Sequence, residues 1–161
     1  MTAQYPPFMF AYTCIGDVFS KIREHDVPDV FTHDFLRFTL GFSRESDRAF
    51  IPLAKRTGLL SNEGKPTDLY LRLRDPSQAA EVVAIAMKQG YPMFYAKQPD
   101  AHRLDRKALA ALVAEVTGME LGHASARAIV GTFFALNKLA SPPADEPAEN
   151  RRKVVERRKR W

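Results

Sequence analysis

The chain has little of what metal, redox or phosphate chemistry needs. Cys14 is the only cysteine in 161 residues, so no internal disulfide and no thiolate metal cluster can form within one chain. His25, His33, His102 and His123 are scattered, and none belongs to an H-x-x-x-H pattern that would set two ligands on one helix face. Neither G-x-x-x-x-G-K-[ST] nor G-x-G-x-x-G occurs, so no loop that cradles phosphate through glycine backbone is indicated. Asp26 and Asp29 flank Pro28 and read as turn formers rather than an acid–base pair. No apolar run approaches the roughly 18–20 residues that span a bilayer. The opening twelve residues are aromatic, hold two prolines and lack a cationic start, which predicts no signal peptide. These absences lead us to expect neither an enzyme nor a cofactor or metal, and a cytoplasmic protein without a membrane partner.

What is present is an ordinary globular balance: 45% apolar and 27% charged residues, enough for one domain with a sizeable core. The formal charge is +5, which favours polyanionic partners. It is unevenly placed, since residues 150–161 alone carry seven Lys/Arg and one Glu. Ser141-Pro-Pro-Ala-Asp-Glu-Pro147 precedes that cluster and has a linker's composition. The expected organisation is a folded unit over 1–140 and a linker with a basic tail over 141–161.

Periodicity and capping signals make the folded unit helical. Helices are expected over 16–25, over 33–40 with Thr32 as N-cap and Gly41 as stop, and over 43–57 with Gly58 as stop. Leu59-Leu60 and Lys65–Thr67 read as two short strands around the turn Ser61–Gly64. Helices then follow over 68–73, 77–89, 106–117 (capped by Asp105, ended by Gly118) and 123–139, with a short helix or turn over 91–95. Phe50, Leu53, Leu112, Val116, Ile129 and Phe133 are expected in the core. Helix, helix, glycine turn, helix and two short strands is the order of a winged helix-turn-helix. The predicted fold is therefore mainly α, with a winged helix-turn-helix over about 14–74 and a small helical bundle over 75–140.

The third helix is the informative one. At 100° per residue Arg44, Arg48, Ile51 and Lys55 fall within about 60° of one another. Phe50 and Leu53 lie on the far side. Three cations around one apolar residue suit a helix in a major groove, where Arg meets guanine or phosphate and an apolar group meets a thymine methyl. Lys65, in the strand turn, is where a wing touches the backbone. In the tail, Arg151, Arg152, Lys153, Arg157, Arg158, Lys159 and Arg160 bind phosphates without reading sequence, and Trp161 is one stacking group. Pro52 leaves a second reading open: it bends this helix or marks its first turn, and in the latter case the stripe loses Arg44 and Arg48. Glu45 and Asp47 also stand beside the stripe.

Several boxes carry a resemblance. Tyr5-Pro-Pro-Phe-Met, Val27-Pro-Asp-Val-Phe-Thr32, Ser46-Asp-Arg-Ala-Phe-Ile-Pro-Leu53 and Gly58-Leu-Leu are similar to the bacterial domain-of-unknown-function family 5343, the YPPF-box proteins. So are Gly64-Lys-Pro-Thr-Asp-Leu-Tyr70, Arg74-Asp-Pro-Ser77, Gln89-Gly-Tyr91 and Val116-Thr-Gly118. The resemblance runs over about residues 5–140 and excludes the tail. It implies a prokaryotic or phage-derived cytosolic protein and a boundary near 140, and brings no catalytic residues. The expected function is double-stranded DNA binding, as a transcriptional regulator or an accessory factor of a mobile element or defence system. The alternative is a non-enzymatic adaptor whose helical half binds a protein partner or a second copy of the chain.

Overall fold

The last helix organises the molecule. The computed structural model describes residues 6–140. Its α-helices are α1 (Ile15–Glu24), α2 (Phe50–Arg56), α3 (Asp68–Leu73), α4 (Ala79–Gly90), α5 (Pro92–Lys97), α6 (Arg106–Thr117) and α7 (Ala124–Ala140). Among the described residues α7 packs most extensively on α4 and α6, and also on α1 and the 3₁₀ turn Tyr12–Cys14. It can do so because its buried positions recur around most of its girth: Ala128, Ile129, Val130, Gly131, Thr132 and Phe133 are all buried, as expected of a helix surrounded by others. The buried residues of the first and second halves form one continuous core, from Met9 to Ala140.

The N-terminal arm is pinned across this centre. Met9 N donates to the Thr132 hydroxyl at 3.1 Å, and that hydroxyl donates to Ala128 O at 2.7 Å. Tyr91 Oη donates to Pro7 O. Tyr91 is fully buried, and burial drives its phenol far above the ordinary range. It therefore remains a neutral donor.

The expected helices are found, with three instructive departures. The 33–40 segment is capped by Thr32, whose hydroxyl accepts from Phe35 N at 3.1 Å. Residues Phe35–Thr39 nevertheless wind as a π turn, with Leu40 N donating to Phe35 O. The segment 43–57 is not one helix: Glu45–Ala49 is a 3₁₀ turn and α2 begins at Phe50. Pro52 is the cause. It cannot donate to the carbonyl four residues back, and its ring would strike that carbonyl in a continuous helix. Starting α2 at Phe50 puts Pro52 in the first turn, where the missing N–H has no intrahelical partner to lose.

The two wing strands are not formed among the described residues; a single antiparallel bridge, Leu60 with Pro66, stands in their place. Ser61 N donates to Lys65 O and Thr67 N to Leu59 O. Gly58 closes α2 just before this bridge and Thr67 caps α3 just after it, so the ladder is limited to one rung. The winged part of the predicted fold is corrected accordingly. Gly58 ends α2 with φ +86°, a conformation that the Cβ of other residues disfavours. The helix expected over 77–89 also starts later, at Ala79, because Asp75 captures Ser77 N and its hydroxyl in a turn.

Candidate nucleic-acid interface

The surface of the first half is built by the 3₁₀ turn, α2 and the tight loop 61–64. Four apolar residues of α2, Phe50, Ile51, Leu53 and Ala54, are buried, which leaves Pro52 and Lys55 exposed. Ile51 was expected between the cations; at 6% exposure it belongs to the core, and Pro52 holds the outward place instead. The geometric reason is the change of winding. A 3₁₀ turn advances about 20° more per residue than an α-helix, and Arg44 stands before that turn with extended backbone, so the even wheel that set Arg44 beside Lys55 does not hold.

The cations predicted from sequence thus separate into distinct roles. Arg44 is committed to Asp47: its backbone N and its Nε donate to Asp47 Oδ2 at 3.2 and 3.3 Å, and its Nη2 to Oδ1 at 3.0 Å. Asp47 is 2% exposed, so it faces this guanidinium and opposes no incoming phosphate. The hydrogen bonds and charge of Asp47 raise the Arg44 pKa above its ordinary value. Arg48, Lys55 and Lys65 are exposed, and none forms an ion pair with another described residue. Lys55 reaches over the loop that leads into Lys65, its Cε 4.0 Å from where a Cβ on Gly64 would stand, and the loop is tied down by Phe31 N donating to Gly64 O. Glu63, on the same loop, feels the charge of both. Its carboxyl lies below the usual range because of its own backbone N–H, the Ser61 hydroxyl and, to a smaller extent, Lys65 and Lys55. The tail cations Arg151, Arg152, Lys153, Arg157, Arg158, Lys159 and Arg160, with Trp161, lie outside the described residues.

The sequence reading missed part of this surface. A polar cleft of about 420 Å³ separates the π turn from the 3₁₀ turn, with His33, Arg37, Arg44 and Arg48 at its walls and Asp34 and Glu45 among them. Beside it Phe38 is 72% exposed, with the Arg37 guanidinium 5.1 Å from its ring centre. The signal was present: once Phe35, Leu36 and Leu40 are assigned inward, Arg37 and Phe38 are left outward.

Under this surface lies the one cysteine. Cys14 Sγ donates to Asp47 Oδ1 at 3.7 Å, and burial together with the Asp47 charge pushes the thiol up to about 11 from 9.0. The folded chain holds this proton more tightly than the unfolded chain. The resulting stability is therefore full below about pH 9 and is lost as pH rises from about 9 to about 11. Native protein at pH 8 is expected to leave a disulfide-exchange reagent such as Ellman's unreacted over the time in which denatured protein reacts fully. Native labelling at the denatured rate would contradict the burial.

Among the described residues no group of three or more His, Cys, Asp or Glu is placed to hold a metal ion, and no helix is long and apolar enough to cross a membrane. A family model described as a family of unknown function (DUF5343) matches residues 7–147. No curated protein and no solved structure matches the chain.

Proposed function

The chain belongs to the DUF5343 family, and from that premise we propose that it is a double-stranded DNA-binding protein of helix-turn-helix order. Such a module suits a transcriptional regulator or an accessory factor of a mobile element or defence system. The observation that carries this reading is the exposed ridge Arg48–Pro52–Lys55 with Lys65 beside it, whose three cations have no ion-pair partner among the described residues. The ridge meets phosphates rather than base edges. α2 has only seven residues, and its apolar side chain nearest the cations, Ile51, is turned inward. Phosphate contacts position a protein on a duplex and contribute affinity without sequence preference. The tail adds seven cations of the same sequence-blind kind.

Salt dependence tests this reading. Each neutralised phosphate contributes about −0.9 to the slope of log K against log salt on duplex DNA. Replacing the seven tail cations by glutamine in the full chain is expected to flatten that slope and leave weaker binding by the ridge. Glu63→Gln removes the carboxylate that competes with phosphate for Lys55 and Lys65, and should tighten duplex binding by about twofold to fivefold, on the scale of one exposed charge pair. Binding abolished by the tail change and untouched by Glu63→Gln would assign all of the affinity to the tail.

A further inference from the structure

Along α7, two cavities of about 330 and 230 Å³ open side by side. Tyr12 and Arg106 line both, so they form one groove. Its floor is apolar and deliberately shallow over α7. A Cβ on Gly131 would lie 2.4 Å from Tyr12 Cζ, so the phenol ring rests on bare helix backbone. Glycine inside a helix costs about 1 kcal/mol relative to alanine, and this close approach is what retains it there. Phe134 continues the floor under the Arg106 guanidinium, which sits 4.9 Å from its ring centre. At the far end Leu121 is 61% exposed.

The charge of the rim is of one sign. Arg106 stands in the middle, Lys138 at one end and Arg127 at the other, and neither half is lined by an acidic residue. All three cations are exposed, and none makes an ion pair among the described residues. From Ala126 to Leu139 the groove follows α7 for about 20 Å at 1.5 Å per residue, the length of a helix of three to four turns. We infer that this groove is the docking site for an acidic amphipathic helix of a partner protein. Apolar side chains of that helix, at i, i+3, i+4 and i+7, meet Tyr12, Phe134 and Leu121, and its flanking carboxylates meet Arg106, Arg127 and Lys138. Neither cavity is lined by Arg48, Lys55 or Lys65, so the inference stands apart from the nucleic-acid reading and can fail separately from it.

Selection of a random library of peptides about 14 residues long on the immobilised full chain supplies the probe, and anisotropy of the enriched, labelled peptides supplies the measurement. The enriched sequences are expected to be net acidic with apolar residues at helical spacing. Their Kd should rise about tenfold or more in Arg106→Glu/Arg127→Glu and stay within about twofold in Arg48→Glu/Lys55→Glu, since reversing a rim charge acts only on the surface that carries it. Thermal midpoints and circular dichroism check that the groove variant folds; if it does not, Arg106→Gln/Arg127→Gln takes its place with a loss of about threefold or more. No enrichment, neutral or basic sequences, or equal binding to the groove variant overturns the inference. So does sedimentation showing a dimer that the groove variant dissociates, because the occupant is then a second copy of the chain.

Discussion

Phe133→Ala is expected to destabilise the protein by about 3–5 kcal/mol, the range for deleting a buried aromatic ring. The ring is 2% exposed and is the hub of an aromatic cluster. It meets Tyr91 edge-on at 5.1 Å, Phe94 at 5.4 Å and Tyr95 at 6.4 Å between centroids. How large the loss becomes depends on whether the neighbours can collapse into the hole. Tyr91 cannot readily do so, because its hydroxyl is held on Pro7 O and its ring is stacked on Phe94. A loss of that size lowers the thermal midpoint by roughly 2–4 °C per kcal/mol in a domain of this length. Denaturant unfolding gives the free energy directly, and a change below about 1 kcal/mol would show that the cluster around α7 is not the centre of the core.

Where the chain's local chemistry and its tertiary packing agree, the structure was legible in the sequence. Asp105 accepts from Ala108 N at 2.7 Å, Gly118 closes α6 with φ +76°, and the helix between them spans Arg106–Thr117 as its caps predicted. Of the six predicted core residues Phe50, Leu53, Leu112, Ile129 and Phe133 are buried, and Val116 is half-buried at the edge of the core. The departures come from proline and from winding. One missing N–H at Pro52 divides the third helix, and the end of α2 at Gly58 and the start of α3 after Thr67 leave room for only one bridge in place of two strands. Each was visible as a residue; its consequence for the cationic stripe depended on how residues 45–49 wind, which a fixed 100° wheel does not describe.

The candidate site was legible in the same uneven way. Arg48, Lys55 and Lys65 are exposed as expected, because nothing apolar in their own positions competes for burial. Arg44 was not separable from them by pattern alone. Its difference lies in Asp47, three residues on, which turns inward against Cys14 and holds the guanidinium, itself still exposed, in place. The groove on α7 had no sequence signal at all, since Tyr12 and Gly131 meet only through the fold.

The charge-reversed pair Arg48→Glu/Lys55→Glu carries the second large effect, and it bears on the central claim. Both side chains are exposed and unpaired among the described residues, so the variant should fold with a stability change of about 0.5 kcal/mol per site or less. On DNA it removes two phosphate contacts and sets two carboxylates against the backbone. The expected loss is about 100-fold in affinity at low salt, with a slope of log K against log salt shallower by about 2. The direct test is fluorescence anisotropy of a labelled duplex titrated with the full chain and with this variant, the basic tail intact in both. Binding weakened about 100-fold or more, with the shallower slope, is the result the account predicts. Equal affinity and equal slope for the two proteins would contradict it, and would leave the ridge of α2 without a role on DNA.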